Sequence, residues 1–189
     1  TVDKLEEMRN SVNIVVHSAA TIDFQERLDR AIRMNVYGSL AVLEFAKSCK
    51  NIQSFCHVST CYVNSNQESG SRIAERLYRV PFPVPEDIAH FCRRVVELKN
   101  EKEILRVQKR YLKHANYPNT YTFTKAMTEH LLVRNHGNIP LAITRPSIVA
   151  ASAFEPFPGW IDAVSAFGAM ALMIGLGVVQ VVPGYAKGT

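Results

Sequence analysis

The sequence predicts an α/β domain with a parallel sheet flanked by helices, and three observations lead there. Short apolar runs at 12–17, 55–58 and 141–144 have the length of buried strands. The segments between them carry apolar residues at helical spacing. Strand and helix patterns alternate along the chain, the order in which crossover helices join parallel strands.

Taken in order, Val12 to His17 reads as a strand, followed by the small residues Ser18, Ala19 and Ala20. Residues from about Gln25 to Lys50 read as a helix, with Leu28, Ile32, Val36, Leu40, Leu43 and Ala46 near helical spacing. Phe55 to Val58 is a second strand. The stretch from Asn64 to Pro85 is rich in Ser, Asn and Pro and reads as a surface loop. Asp87 to about Lys113 is a basic amphipathic helix or pair of helices, with Ile88, Cys92, Val95, Val96, Ile104 and Leu105 inward. Pro118 discourages a helix from running on from upstream, and Asn119 or Thr120 can cap a new one. In that helix Phe123, Met127 and Leu131 recur every four residues and can anchor a face in a core. Leu141 to Thr144 is a third strand, closed by Arg145 and Pro146. From Ala163 to Val182 only Ser165 and Gln180 are polar, and the length meets that of a membrane span. Its many small residues and the lack of a basic flank favour a buried helix ending near Gly175 to Gly177, followed by a strand. A helix facing lipid or an acyl chain is the alternative.

A length of 189 residues, with 47% hydrophobic and 21% charged content, suits one globular domain and excludes a disordered chain. Cys49, Cys56, Cys61 and Cys92 have neither metal-ligand spacing nor a dense disulfide framework, so reduced intracellular thiols and no metal are expected. The first residue is Thr1 and nothing resembles a signal peptide, so the chain reads as a fragment. The net charge of +5 is concentrated. Arg93, Arg94, Lys99, Lys102, Arg106, Lys109, Arg110 and Lys113 face only Glu97, Glu101 and Glu103 in that stretch. Such a run is a solvated helix face or a surface for phosphates or acidic lipid heads. Nucleic acid is disfavoured, because no binding module or aromatic interleaving accompanies the charge.

Tyr121 and Lys125 lie four apart and share a helix face, near enough for one proton network. The Ser59-Thr60 pair ends the second strand upstream of them. A dinucleotide-binding sheet opens with a strand, a Gly-rich turn and a helix N-terminus that holds the pyrophosphate. Here the first glycine is Gly38, inside a predicted helix, and Gly175-Leu-Gly177 follows no strand.

In order, Val-Val-His17-Ser-Ala19-Ala20, Met34-Asn35-Val-Tyr-Gly38, His57-Val-Ser59-Thr60, Tyr121-x-x-x-Lys125 and Arg145-Pro146-Ser147-Ile148-Val149 resemble the extended short-chain dehydrogenase/reductase superfamily. Glu75-Arg-Leu-Tyr78, Tyr117-Pro-Asn-Thr-Tyr121-Thr-Phe-Thr-Lys125 and Glu155-Pro-Phe-Pro-Gly159-Trp160-Ile-Asp162 are similar to the fatty acyl-CoA reductases, the male-sterility family. The resemblance implies a partial Rossmann-type sheet that lacks the first βαβ units and their glycine turn. Residues 1–189 would be the C-terminal part of such a domain, with an acyl-substrate region at about 62–118 and 150–189. The chain departs from the family after Trp160-Ile-Asp162, where a polar Asn and Gly give way to an apolar run.

The resemblance further implies reduction of a long-chain acyl-CoA to an aldehyde and then a primary alcohol, with NADPH as cofactor. Thr60, Tyr121 and Lys125 take the catalytic places: oxyanion donor, general acid, and partner of the tyrosine and the nicotinamide ribose. The expectation is that the Lys125 ammonium, with the positive nicotinamide of the oxidised cofactor, favours the phenolate. His17, Ala19, Ala20, Asn35, Val58, Ser59, Pro146, Ser147 and Ile148 join Tyr121 and Lys125 around the cofactor. Asn35 either orients a water that resupplies protons or bonds backbone as an ordinary helix-internal amide. Arg106 and Arg110 are candidates for the CoA phosphates, and Trp160 for the acyl substrate. Attack by a Cys61 thiolate is a rival mechanism without an evident base. The expected partner is long-chain acyl-CoA, with membrane association and a peroxisomal or endoplasmic reticulum location implied by the family. Two alternatives stand: a sister enzyme acting on a nucleotide sugar or steroid, and a truncated, non-catalytic product. Without the pyrophosphate cradle the fragment alone is expected to bind NADPH weakly and to be inactive.

Overall fold

The computed structural model describes residues 2–84, 86–161 and 166–180. The chain divides into two compact units, one up to Pro146 and one from Ser147.

The first unit is built on three parallel strands in the order β1 (Ile14–His17), β2 (Ser54–Val58) and β3 (Leu141–Thr144). Helix α1 (Val2–Ser11) precedes them; the sequence patterns give no sign of it, because it buries none of its side chains. The predicted helix after β1 is continuous but not uniform. It runs from α2 (Leu28–Ala31) through a π-helical turn (Ile32–Tyr37) into α3 (Gly38–Ser48). A single turn at Cys61–Asn64 follows β2, and residues 65–84 form neither helix nor strand. The basic segment is a pair of helices, α4 (Ile88–Glu97) and α5 (Glu101–Ala115), capped by Asp87 and Asn100. Asn116 closes α5 in the left-handed conformation (φ 56°), which an Asn tolerates better than most residues. Helix α6 (Thr120–Asn135) is capped by Asn119, whose side chain accepts the Thr122 N–H at 2.9 Å.

Two apolar clusters hold this unit together. Leu43, Ala46, Phe55, Leu132 and Ile139 lie between the sheet and helices α3 and α6. Leu28, Ile32, Val36, Phe91, Val95, Tyr111, Phe123 and Met127 knit the helices to one another. Phe123, Met127 and Leu131 are buried as their spacing predicted, whereas Leu105 is 47% exposed and Phe91 and Tyr111 fill the inward positions. On β2 the inward residues are Phe55 and His57, and Ile14 and Val16 of β1 are exposed on the other sheet face.

In the second unit, the segment from Ser152 to Trp160 folds into a closed loop. Ser152 N–H donates to Trp160 O at 2.7 Å and Gly159 N–H donates back to Ser152 O at 2.8 Å. Gly159 sits at φ +87°, where a side chain would be strained. Helix α7 (Ala166–Gly175) ends where the glycines predicted. Its Leu172, Met173 and Ile174 are exposed rather than buried. The strand expected after it begins in described residues that carry no strand and ends in residues outside the described ones, as do Asp162 and Pro183. Among the described residues no helix is long and apolar enough to cross a membrane.

Candidate active site

Parallel strands end together, so the segments leaving β1, β2 and β3 gather at one end of the sheet, the usual place for a ligand in an open α/β fold. The β2–β3 ladder continues past the strands. Ser59 N–H donates to Thr144 O at 2.7 Å, and Cys61 N–H to Pro146 O at 3.0 Å. Thr60, extended at φ −152°, is held between these two bonds and caps the turn after it, accepting the Tyr62 N–H at 3.3 Å. That turn is pinned in its place by Tyr117, whose hydroxyl donates to Val63 O at 3.0 Å.

Helix α6 brings Tyr121 to Thr60. Burial pushes the phenol's pKa up, the neighbouring Thr60 side chain draws it partly back, and Cys61 adds to the rise. The Tyr121 ring also lies 5.7 Å from that of Phe24. One helical turn on, Lys125 is almost fully buried and its Nζ donates to Val58 O at 2.7 Å. It also lies 3.4 Å from His57 Nε2. Burial lowers the Lys125 pKa from 10.5 to about 8, with Glu129 opposing. In the chain by itself the ammonium is drawn to the β2 backbone, and burial raises the pKa of Tyr121.

Asn35 sits in the π-helical turn, a device often found at functional sites. Its amide is engaged with backbone: Oδ1 accepts the Thr21 N–H at 2.8 Å, and Nδ2 donates to Thr21 O at 3.3 Å and Thr124 Oγ1 at 3.0 Å. Its own carbonyl accepts from Ser39 Oγ at 2.6 Å and Thr128 Oγ1 at 3.0 Å. So Asn35 clamps the segment after β1 to α6, which is the backbone-bonding alternative of the two.

His17, at the end of β1, places its Nδ1 3.1 Å from His57 Nδ1. Ala19 and Ala20 follow it. Ser59 Oγ is buried with no hydrogen-bond partner in the structure. Cys61 opens the turn after Thr60 and lines a cavity of about 710 Å³ with Asn64, residues 73–77 and Arg145. Arg106 and Arg110 border a cleft of about 550 Å³ beside Arg94 and His90. Arg94 is tied to Glu86 by two bonds of 3.0 Å, while Arg106 and Arg110 have no acid partner among the described residues. Ser147, Ile148 and Trp160 fall in the second unit.

Sequence reasoning missed His57 as more than a neighbour of Cys61, although its alternation with Phe55 already marks it as inward. It also missed the pair of Glu129 with Arg145, two bonds of 2.9 and 2.7 Å from a buried carboxylate. Arg145 Nη2 additionally holds Arg76 O at 3.1 Å, tying the cavity loop to the end of β3.

The orphaned Ser59 hydroxyl and the Lys125 ammonium fit a nicotinamide dinucleotide. An ammonium has three donors, and Val58 O and His57 take two. One remains for a ligand hydroxyl.

Comparison with known proteins gives the family and the fold. The family model described as male sterility protein matches residues 2–188. The alcohol-forming fatty acyl-CoA reductase of Simmondsia chinensis is 38% identical over 84% of this chain and 35% of its own length. Fatty acyl-CoA reductase 8 of Arabidopsis thaliana is 34% identical over 93% of this chain and 38% of its own. The chain therefore spans about a third of the length of the curated relatives it matches. Among solved structures, UDP-glucuronic acid 4-epimerase from Bacillus cereus, in complex with NAD, aligns with a TM-score of 0.53 at 20% identity, covering 91% of this chain and 42% of its own. A thiolation-reductase di-domain from an archaeal non-ribosomal peptide synthetase aligns at 0.52 and 18%, covering 92% and 31%. At those identities the likeness is one of fold.

Proposed function

Because the chain belongs to the male sterility family, an NAD(P)-binding family that includes fatty acyl-CoA reductases, we propose that it carries the catalytic residues of an NADPH-dependent reductase. The substrate is a long-chain acyl-CoA, taken to the aldehyde and then to the primary alcohol. One observation carries this reading. A hydroxyl (Thr60) and a phenol (Tyr121) meet at the carboxyl end of the sheet, one helical turn from a buried ammonium (Lys125).

The cofactor, when bound, supplies hydride at each of the two stages. Hydride arriving at a carbonyl carbon leaves negative charge on its oxygen, and donors already aimed at that oxygen lower the barrier. Thr60 and Tyr121 are such donors. In the first stage the oxyanion collapses to the aldehyde as the C–S bond breaks and CoA leaves as its thiolate; in the second the phenol passes its proton to the alkoxide as general acid, completing the alcohol. A raised pKa keeps Tyr121 protonated for that step at neutral pH. Lys125, Ser59, His17 and the backbone of Ala19 and Ala20 hold the dinucleotide, with Pro146 on its nicotinamide. Arg106 and Arg110 meet the CoA phosphates.

Incubation of the complete protein that contains this chain with palmitoyl-CoA and NADPH, with the products separated, tests the proposal. Fatty alcohol is the expected product. Turnover of a sugar nucleotide in its place would overturn the assignment.

A further inference from the structure

Between β1 and α6 runs a row of three nitrogen-bearing side chains that the reduction scheme leaves unused at its centre. His57 is fully buried, and both its ring nitrogens have a partner at hydrogen-bond distance. Nε2 faces Lys125 Nζ at 3.4 Å; Nδ1 faces His17 Nδ1 at 3.1 Å. The two imidazoles are nearly parallel, 14° apart, with centroids 5.3 Å from each other. The register of the sheet sets this up, since His17 and His57 are partners across the β1–β2 ladder.

Donor and acceptor rules allow one arrangement while Lys125 is charged. An ammonium has hydrogens and no lone pair, so His57 Nε2 must accept. A neutral imidazole that accepts at one nitrogen donates at the other, so the hydrogen is on His57 Nδ1. That N–H points at His17 Nδ1, which must in turn accept, and the His17 hydrogen is left on Nε2. A protonated His57 would set an N–H against the ammonium.

We propose that His57 is a positioning residue which couples Lys125 to His17, so that the lysine charge fixes the tautomer of both histidines. Lys125 is held from two sides, by Val58 O and by His57. His17 meanwhile presents a fixed Nε2–H, a donor suited to a phosphate or ribose oxygen. That last consequence rests on the dinucleotide reading; the coupling does not. Among the described residues the other charged group acting on the row is Glu129, from α6. Glu129 is occupied by Arg145 and opposes the fall in the Lys125 pKa. Burial, the nearby lysine and the other histidine hold His57 at a pKa of about 3, and burial with Lys125 lowers His17, so both rings are neutral around pH 7.

Nitrogen-resolved NMR of the imidazoles tests this on the unliganded chain. The expected result at pH 7 is hydrogen on Nδ1 of His57 and on Nε2 of His17. Lys125→Met should mix the tautomers of both rings together. Should that variant not fold, raising the pH of the parent chain through the Lys125 titration, near 8, gives the same signature. Both histidine signals should move although neither ring changes its proton count. His57→Gln offers an amide oxygen to the ammonium and should keep the Lys125 pKa close to that of the parent. His57→Phe fills the same space without an acceptor and should lower it. Hydrogen on His57 Nε2, or equal Lys125 pKa values in the Gln and Phe variants, would overturn the proposal. None of these readouts involves NADPH or acyl-CoA, so failure of the reductase assignment would leave them untouched.

Discussion

Helices α5 and α6 are nearly equal in length, are both capped by asparagine and follow each other in the chain, yet they use polar residues in opposite ways. Helix α5 buries Ile104, Tyr111 and Ala115 and turns its charges to solvent. From Thr120 to Leu132 helix α6 is largely enclosed, and it buries Thr120, Thr122, Thr124, Lys125, Thr128 and Glu129 among its apolar residues. Each of these polar groups has a partner it cannot readily give up. Thr120 Oγ1 donates to Glu26 O at 2.8 Å, Thr128 Oγ1 to Asn35 O at 3.0 Å, and Lys125 to Val58 O. Buried polar groups left unpaired are costly, so a satisfied set fixes the helix at one rotation and one height. Tyr121 is aimed by that constraint. Charges on α5 have no such constraint: Glu101 meets Arg27 at 3.7 Å but is largely exposed, and the others have no ion-pair partner among the described residues.

The contrast is sharpest at Tyr121. Replacing it with Phe removes the proton donor while keeping a ring against Phe24, so alcohol formation should fall by about 10²–10⁴-fold, the usual contribution of a general acid. NADPH affinity should change little. Near-normal turnover, measured as alcohol from the aldehyde, would take the phenol out of the scheme.

Next in size is the Glu129–Arg145 pair. Glu129→Gln leaves the guanidinium facing an amide in a largely buried place, and losing one partner of a buried ion pair costs about 3 kcal/mol. Urea denaturation should show that loss. The matched change on α5, Lys109→Ala, should stay within about 0.5 kcal/mol. Equal effects on the two helices would break the distinction between them.

Acid and alkali probe the same interior. The folded pKa of His57, about 3, lies below the free value of 6.5. Between those values the unfolded chain binds the extra proton, so stability is full above pH 6.5 and falls on acidification by up to about 1.4 kcal/mol per pH unit. Lys125, at about 8 against 10.5, has the same sign in a higher window. Its burial costs roughly 3 kcal/mol below pH 8, and that cost is relieved as the pH rises towards 10.5. Lys125→Met should therefore flatten the alkaline limb of a stability–pH curve.

Much of this arrangement is legible in the sequence because it depends on local pattern. Three strands and the Tyr121 helix with its Asn119 cap follow from periodicity and capping chemistry, whereas the pairing of Thr60 with Tyr121 comes from the family resemblance. What is not legible depends on register and rotation. His57 meets His17 because β1 and β2 align those two positions, and a shift of one residue would send His57 to the other sheet face. Lys125 reaches Val58 O rather than Tyr121 because the packing of α6 on the sheet sets where its long side chain ends. The π-helical turn at Asn35 has no propensity signature, and α1 has no buried stripe to betray it. Leu105 illustrates the limit of pattern on a surface helix: it extends the apolar run, but the turn of α5 carries it out to solvent while Tyr111 takes the inward place.

The smallest expected effect belongs to α5 itself. Arg106 and Arg110 lie one helical turn apart on the cleft wall, and Glu86 holds Arg94 but neither of them. Exposed charge contacts contribute about 0.2–1 kcal/mol each, so removing both arginines should raise the KM for acyl-CoA by about 2–30-fold. The KM for NADPH should not move, and the effect should fade in high salt, because solvent-exposed charges are screened. A rise that persists at high salt would mean that the cleft grips its ligand by shape. Unchanged kinetics would mean that these charges only solvate the helix. In either case the buried polar side chains of α6 would keep their part in the chemistry, since they owe their positions to partners inside the fold.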